Sequence, residues 1–218
     1  MKRAVIFANG ESHLAPSLRD EIHPDDLIIA ADGGALHCRM LGVKPQVVIG
    51  DFDSLQAEDL DILQADGVQL IRFPSHKDET DLELAFQYAR QQGCQQILLI
   101  AALGARWDMS IANILLAAHP AYKGIQVRVV DNLQELMLLR GGESLTLHGQ
   151  PGDTLSLIPL NTRAQGITTQ GLEYALNDEN LEFGSPRGVS NVFSAESASI
   201  SLHQGLLICV VIRNGGIP

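Results

Sequence analysis

Residues 47–54 have the sequence VVIGDFDS, in which three consecutive aliphatic residues precede two carboxylates spaced two positions apart. A short, continuously apolar run is typical of a parallel strand that is covered on both faces. Side chains alternate along extended backbone, so we expect Asp51 and Asp53 to project to the same side. Two adjacent carboxylates repel each other unless a cation lies between them. The pair therefore predicts a Mg²⁺ site that is open to phosphate oxygens, although an Asp-x-Asp turn that caps the next helix is the alternative.

Two further acidic clusters each follow a predicted strand: KDETD at 77–81 and RWD at 106–108. Ligands bind at the carboxyl ends of the strands in parallel sheets, so all three clusters are expected at one edge. In the first cluster, Lys77 is suited to a phosphate, and one carboxylate to the metal. In the second, Arg106 is suited to a bidentate phosphate contact. The alternatives are a helix cap made by Asp78 and an exposed Arg–Asp ion pair.

The segment ADGGA at 31–35 follows another predicted strand and opens a helix. Gly33 and Gly34 would let backbone N–H groups approach an anion at the helix N-terminus. A tight structural turn explains the same two glycines, and both interpretations stay open at this point.

The periodicity divides the chain near residue 140. Residues 1–140 alternate apolar strand segments with helical segments, of which the clearest is an i, i+3, i+4, i+7 stripe within 80–92. This alternation predicts an α/β domain with a mostly parallel, Rossmann-like sheet. Residues 141–218 show β periodicity separated by Gly, Pro, Asn and Asp turns, which predicts an all-β sandwich or barrel. The predicted strands are 3–8, 27–31, 47–49, 69–72, 96–102, 126–130, 145–148, 154–158, 197–202 and 206–212.

Composition limits the classes of partner. The chain has 15 basic and 26 acidic residues and a net charge of −11, without a basic cluster. Phosphate neutralisation needs a basic face, so we expect no nucleic-acid partner. No apolar run is long enough to span a membrane, and three widely spaced cysteines favour reduced thiols, so we expect a cytoplasmic location.

Taken together and in this order, these segments resemble the thiamine pyrophosphokinase family. ADGGA, GDFDS and the KDxTDxExA pattern are matched by residues 31–35, 50–54 and 77–85, and the GGRxDHxxANI element is matched imperfectly by 104–114. In the β region, SLIPL at 156–160, GLEY at 171–174 and GVSN at 188–191 resemble further family elements.

The resemblance implies an α/β domain followed by a β-sandwich, acting as a homodimer with sites at the interface. It implies transfer of the pyrophosphoryl group of ATP to thiamine with Mg²⁺, giving thiamine diphosphate and AMP. Position by position, the resemblance implies three sets of residues. The Mg²⁺–ATP carboxylates would be Asp51, Asp53 and Asp78. The supporting polar residues would be Asp32, Lys77, Thr80, Asp81, Arg106 and Asp108, and Gly33 and Gly34 would join Asp32, Lys77, Thr80 and Arg106 in binding ATP. The thiamine-binding residues would be Ser190 and Asn191.

The chain departs from the family pattern at two positions, where Ala105 replaces a glycine and Met109 replaces the usual histidine. Ala105 would obstruct the backbone if a positive φ were required there, and Met109 makes no strong hydrogen bond. We therefore expect altered nucleotide contacts with activity retained. Either Asp81 or Asp108 would accept the proton of the thiamine hydroxyl. The competing functions are a Mg²⁺-dependent phosphohydrolase and a non-catalytic sensor of thiamine or nucleotide.

Overall fold

The computed structural model describes residues 1–11 and 14–214, and these divide into two compact units between Asn132 and Leu133. The predicted boundary lay at 140/141. It differs from the structural division because the strand Gln134–Arg140 pairs within the second unit, with the strand Leu206–Ile212. Residues 215–218 of the predicted second domain lie outside the described residues.

The first unit contains a six-stranded parallel sheet in the order β6-β5-β1-β2-β3-β4. The chain adds β2, β3 and β4 on one side of β1, and then β5 and β6 on the other. The direction of winding therefore changes between β1 and β5, which is where parallel sheets bind ligands. The strands are β1 (Arg3–Phe7), β2 (Leu27–Ala31), β3 (Val47–Gly50), β4 (Gln69–Arg72), β5 (Gln96–Ile100) and β6 (Gln126–Asp131).

Four helices accompany this sheet: α1 (Gly34–Met40), α2 (Ala57–Ala65), α3 (Asp81–Gln91) and α4 (Trp107–Ala118). The stripe predicted for α3 is confirmed, because Leu82, Ala85, Phe86 and Ala89 are all buried. Gly93 follows this helix with φ 77°, as expected of a helix stop. The helix predicted after Asp108 is also present as α4.

The second unit consists of two antiparallel sheets. One has the order β12-β9-β14-β7 and the other β11-β10-β13-β8. Its strands are β7 (Gln134–Arg140), β8 (Ser144–His148), β9 (Thr154–Pro159), β10 (Arg163–Gln170), β11 (Glu179–Glu182), β12 (Asn191–Val192), β13 (Ser197–Gln204) and β14 (Leu206–Ile212). Buried residues of both sheets form a single core, including Leu157 of β9, Ile200 of β13 and Phe193. Two sheets that share an apolar core are a β-sandwich.

The predicted fold class, an α/β domain followed by a β-sandwich, is therefore confirmed. Within the described part of the chain, none of the helices is both long and apolar enough to cross a membrane. Cys38, Cys94 and Cys209 are buried and free.

Candidate active site

An acidic cavity of about 500 Å³ opens at the carboxyl ends of the parallel strands of the first unit. Its wall comes from the segments that follow β1, β2, β3, β4 and β5, so the edge predicted from the three acidic clusters exists. Seven of the predicted site residues line it: Asp32, Asp51, Asp53, Lys77, Thr80, Asp81 and Arg106.

Three carboxylates in this cavity are placed to share a cation. Oxygens of Asp32, Asp51 and Asp53 all lie within 4.8 Å of one another. Asp32 is 4% exposed, and its Oδ1 has no hydrogen-bond partner among the residues that the structure describes. A buried, unpaired carboxylate oxygen is costly unless a cation binds it. The donor set is all oxygen, which suits Mg²⁺.

Asp51 and Asp53 meet for a different reason from the one predicted. The strand β3 ends at Gly50, and Phe52 has φ 68°, so the backbone between the two carboxylates is left-handed and not extended. The turn brings the N–H of Asp53 to 3.2 Å from Oδ1 of Asp51. The expected proximity is correct, but a turn and not strand alternation produces it.

The environment of Asp51 keeps its carboxylate charged. A hydrogen bond with the side chain of Ser75 is the largest influence on its pKa, and the N–H of Asp53 and the charge of Lys77 act in the same direction. Together they lower the pKa below its ordinary value despite some burial. Asp51 is therefore a carboxylate, ready to bind a cation, at neutral pH.

Asp32 owes its position to an unusual backbone conformation. Its φ is 46°, and its N–H donates to the carbonyl of Ile49 at 2.9 Å, which links the ends of β2 and β3. Gly50 lies between two acids: a Cβ there would be 3.0 Å from Cβ of Asp32 and 3.2 Å from Cγ of Asp81. The absence of a side chain at Gly50 thus lets both acids occupy the same side of the cavity.

The cluster at 77–81 combines a helix cap with an ion pair. The side chain of Thr80 accepts a hydrogen bond from the N–H of Glu83 at 3.2 Å and caps α3. The alternative that Asp78 is this cap is wrong, because the helix begins three residues later, at Asp81. The Nζ of Lys77 lies 3.0 Å from Oδ1 of Asp81. Burial raises the pKa of Asp81, and Lys77 opposes that shift.

Asp78 differs from the other predicted metal ligands. It is exposed and does not belong to the set of described residues that line the cavity. The three-carboxylate group instead contains Asp32, which the family resemblance places among the supporting polar residues.

The two glycines of ADGGA are needed for close packing. A Cβ on Gly34 would be 2.1 Å from the carbonyl oxygen of Phe7, and one on Gly33 would be 2.3 Å from Oδ1 of Asn9. The start of α1 therefore rests directly on the end of β1. The interpretation of these glycines as a tight structural turn therefore explains why both are needed. Contact of Gly33 and Gly34 with ATP stays a prediction.

The third cluster, at 106–108, forms an exposed ion pair. Nη2 of Arg106 lies 2.5 Å from Oδ2 of Asp108, and the two side chains are 74% and 66% exposed. The guanidinium lowers the pKa of Asp108 below its ordinary value. Arg106 borders the cavity, whereas Asp108 is outside the set of described residues that line it.

The two departures from the family pattern have different consequences. Ala105 does not belong to the described residues with positive φ, so its Cβ causes no backbone strain. Met109 lines the cavity and is half-buried. Its thioether thus occupies a place where the family pattern has an imidazole.

Sequence reasoning missed several polar residues of the cavity. Asn9 follows β1, and its Nδ2 donates to Oγ of Ser54 at 3.1 Å; that hydroxyl lies 3.2 Å from Oδ1 of Asp53. Asn113 of α4 is buried and donates to the carbonyl of Ala102 at 2.7 Å. The search for acids after strand ends passed over Asn9, because this residue is uncharged, although it lies only two positions beyond the end of β1.

The predicted thiamine-binding residues lie in the second unit, where hydrogen bonds connect three of the family-like segments. The N–H of Ser190 donates to Oγ of Ser156 at 3.1 Å, and Ser190 has φ 62°. The amide of Asn191 accepts from the N–H of Tyr174 at 3.1 Å and donates to its carbonyl at 2.7 Å. Asn191 therefore holds the Tyr174 segment in place, and its contact with thiamine stays a prediction.

A second cavity, of about 230 Å³, is lined by residues of α1 and α2. Much of its wall is aliphatic, including Leu36, Val43 and Leu63. Among the described residues, the carboxylate group able to hold a metal lies in the acidic cavity and not here. The acidic cavity is therefore the candidate active site.

Comparison with known proteins agrees with this choice. Residues 18–129 match the family model described as "Thiamin pyrophosphokinase, catalytic domain", and residues 144–207 match "Thiamin pyrophosphokinase, vitamin B1 binding domain". The two matches together cover most of the chain, and the first contains every acidic cluster.

Individual relatives span both units. The chain is 27% identical over 210 residues to thiamine pyrophosphokinase of Bacillus subtilis (strain 168), covering 96% of this chain and 98% of the relative. It is 28% identical over 186 residues to thiamine pyrophosphokinase 2 of Arabidopsis thaliana, covering 80% and 68% of the two chains. The crystal structure of the B. subtilis protein is similar at a TM-score of 0.88 and 25% identity, with 98% and 100% of the chains covered. That of Geobacillus thermodenitrificans thiamin pyrophosphokinase gives 0.84 and 26%, with 99% of each chain covered.

Proposed function

Because this chain belongs to the thiamine pyrophosphokinase family, we propose that its acidic cavity is where it transfers the pyrophosphoryl group of ATP to thiamine. The hydroxyethyl oxygen of thiamine attacks the β-phosphorus of ATP. The bond from that phosphorus to the oxygen shared with the α-phosphorus breaks, and the hydroxyl loses its proton. The products are thiamine diphosphate and AMP.

The observation that carries the proposal is the carboxylate group of Asp32, Asp51 and Asp53. A triphosphate and a surface of net charge −11 repel each other, so a polyanionic substrate needs a cation to approach these acids. The unpartnered, buried Oδ1 of Asp32 supports a cation at this position. We assign Mg²⁺ to these three residues; Asp78 as a ligand stays a prediction that the arrangement does not test.

A bound Mg²⁺ would supply charge neutralisation for the β- and γ-phosphate oxygens. The residues of the chain supply the rest of the site. Phosphoryl-type transfer depends chiefly on positioning and charge, with little covalent work for the protein. Lys77 and Arg106 are the cations that border the cavity, and each is held by a neighbouring carboxylate. We propose that, when ATP binds, its phosphates replace Asp81 as the partner of Lys77 and Asp108 as the partner of Arg106. Thr80 borders the same space.

Release of Lys77 would leave the Asp81 carboxylate free to act as a base. Asp81 lines the cavity, and burial raises its pKa, which brings a carboxylate closer to the range useful for proton transfer. Asp108 is exposed, and its pKa is lowered. We therefore assign proton acceptance to Asp81, and to Asp108 the orientation of Arg106 before ATP binds.

The thiamine end of the site is proposed to include Ser190 and Asn191. We propose a homodimer in the cytoplasm, in which these residues of one chain complete the site of the other. Support for this assembly comes from the family resemblance.

The test of function is product analysis. The chain is incubated with ATP, Mg²⁺ and thiamine, and adenine nucleotides and thiamine phosphates are separated and quantified. We expect AMP and thiamine diphosphate in equal amounts. ADP with thiamine monophosphate would reject pyrophosphoryl transfer, and inorganic phosphate released without thiamine would indicate a phosphohydrolase.

The matched variant is Asp53→Asn, which removes one charge from the metal group with little change in volume. We expect turnover to fall by about 10²–10⁴-fold, the usual cost of losing a preorganised electrostatic group. Asp61→Asn, an exposed position of α2, is the control and should leave turnover unchanged. Near-normal turnover of Asp53→Asn would reject the metal assignment.

A further inference from the structure

Arg72 touches the metal-binding turn from outside the cavity. It is the last residue of β4, it is exposed, and it does not belong to the described residues that line the cavity. Its Nη1 donates to the backbone carbonyl of Asp51 at 2.8 Å. Its guanidinium carbon also lies 4.6 Å from the centre of the Phe52 ring, a cation–π distance.

The turn that Arg72 contacts needs support. Phe52 has φ 68°, a left-handed conformation that is unfavourable for a residue with a bulky side chain. Phe52 is 5% exposed, so its side chain is held in the core, while Asp51 and Asp53 on either side line the cavity. Strained conformations of this kind persist only where the surroundings fix them.

The register of the sheet places Arg72 to give this support. Gly50 and Arg72 are paired across β3 and β4, and the N–H of Phe73 donates to the carbonyl of Gly50 at 2.9 Å. The parallel ladder therefore ends beside the residue at which the turn begins. The hydrogen bond from the Arg72 guanidinium to the carbonyl of Asp51 then connects β4 to the next residue along, beyond the end of the ladder.

We infer that Arg72 is a positioning residue: by holding the carbonyl of Asp51 and the ring of Phe52, it fixes the spacing of the Asp51 and Asp53 carboxylates and so sets the affinity for the divalent cation. The inference rests on the proposed function for its biological meaning. It makes no claim that Arg72 touches ATP or thiamine.

Charge and position predict opposite results for Arg72→Gln, which makes the test decisive. Removing a positive charge near three carboxylates should tighten cation binding if charge alone matters. Loss of positioning should weaken it, and loss of a residue that orients metal ligands typically costs about tenfold or more in affinity. We expect the dissociation constant for Mn²⁺ alone, measured by the electron paramagnetic resonance signal of free Mn²⁺, to rise about tenfold.

Two further variants separate the causes. Arg39→Gln removes the same charge from another exposed arginine, which pairs with Asp59 and lies outside the acidic cavity, and it should bind Mn²⁺ like wild type. Arg72→Lys keeps the charge but loses the planar guanidinium, and its dissociation constant should rise about threefold, between those of wild type and Arg72→Gln. Thermal unfolding of each variant is measured in parallel.

In the activity assay, Arg72→Gln should need about ten times more Mg²⁺ for half-maximal rate and should regain most of its turnover at saturating Mg²⁺. The KM for thiamine should stay within about twofold of wild type. A purely structural role would lower turnover at every Mg²⁺ concentration, and that outcome would overturn the inference.

Unchanged or tighter Mn²⁺ binding in Arg72→Gln would also overturn it, as would a wild-type chain that binds no Mn²⁺. Failure of the proposed function is distinguished by its own signature. In that case the wild-type chain would form no thiamine diphosphate, while the order of Mn²⁺ affinities would still be measurable.

Discussion

The ammonium of Lys77 lies 3.0 Å from Oδ1 of Asp81, four residues further along the chain, and both side chains line the acidic cavity. Lys77 is thus the cationic partner of Asp81, and a bound triphosphate would attract its ammonium more strongly than this single carboxylate does. We therefore expect the binding of ATP and the availability of the Asp81 carboxylate to be coupled.

This coupling predicts a specific kinetic result for Asp81→Asn. The amide cannot accept the proton of the thiamine hydroxyl, so kcat should fall by about 10²–10⁴-fold, the range for a general base. Lys77 loses its carboxylate partner, so the KM for ATP should not rise. Steady-state kinetics with each substrate varied in turn measures both quantities.

The control for this prediction is Asp108→Asn, which removes the other candidate base. Asp108 is exposed and paired with Arg106, so its loss should cost less than tenfold in kcat and act mainly on the KM for ATP. A larger loss of kcat for Asp108→Asn than for Asp81→Asn would reverse the assignment.

Met109 leads to a second prediction, in which the affinity for ATP increases. Met109→His places a hydrogen-bonding ring where a thioether now lines the cavity. We expect tighter ATP binding by about 1 kcal/mol, the net value of one hydrogen bond, and little change for thiamine. Calorimetric titration with ATP and Mg²⁺ measures the difference.

Met40→His is the control, because Met40 is 70% exposed at the end of α1. Equal effects of the two changes on ATP affinity would show that residue 109 makes no nucleotide contact.

Stability should depend on pH through Asp26, which is 6% exposed. Burial, the largest single influence, raises its pKa, but hydrogen bonds from Arg3 at 2.8 and 2.6 Å and from the N–H of His23 outweigh it and lower the net pKa. A carboxyl with a lowered pKa in the folded state stabilises the fold above its unfolded pKa. That stabilisation is lost as the pH falls through the folded pKa.

The measurement is urea unfolding of wild type and Asp26→Asn between pH 7 and pH 3. At pH 7 the variant should be less stable by about 1–3 kcal/mol, the value of hydrogen bonds to a charged group. The difference should shrink once the pH falls below about 4, the ordinary pKa of Asp. Asp61→Asn, on the exposed side of α2, should show no such trend; a difference that stays constant with pH would contradict the role of the Asp26 charge.

The strand ends were predictable because two simple signals agree there. Continuously apolar runs mark the buried strands, and acids directly after them fall at the ligand-binding edge of a parallel sheet. Asp51 and Asp53 were found in this way, and Asp81 was found as a member of the acidic cluster at 77–81, which follows β4 at a greater distance. Asn9 was not predicted because it carries no charge, although it also lies shortly after the end of a buried strand, β1.

Other features depend on tertiary structure and leave little trace in the sequence. The positive φ of Asp32 and Phe52 brings the carboxylates together. Asp adopts this conformation more often than most residues but not often enough to predict it, and for Phe it is unfavourable. The strand β10 was missed because its register shifts between Ala164 and Ile167, near Gly166 with φ 65°, which breaks the two-residue period. In α4, Ile111 and Leu115 marked a helix correctly but are 57% and 50% exposed, so periodicity did not show which face is buried.

The last prediction concerns the proposed homodimer. The acidic residues lie in the first unit, and Ser190 and Asn191 lie in the second, more than 100 positions after Asp81. If each site takes its acids from one chain and its thiamine contacts from the other, a two-fold dimer contains two identical shared sites. Two variants with different defects should then restore each other.

The pair to mix is Asp53→Asn and Asn191→Ala. A heterodimer places both defects in one site and leaves the other site intact. Random pairing makes half of the dimers heterodimers, so the refolded mixture should recover to about a quarter of wild-type activity per chain, and the heterodimers purified for both tags should have about half. The two variants carry different affinity tags, are mixed, unfolded, refolded together, and purified for both tags before assay.

Asn191→Ala needs a folding control, because the side-chain amide of Asn191 forms hydrogen bonds with both the N–H and the carbonyl of Tyr174. The free energy of unfolding of Asn191→Ala should be lower by about 1–3 kcal/mol, at roughly 0.5–1.5 kcal/mol for each of these two hydrogen bonds. The assay is therefore run at a temperature at which the variant is folded. Doubly tagged heterodimers with no more activity than the parent homodimers would show that each site is built within a single chain, since a shared site must leave one copy intact.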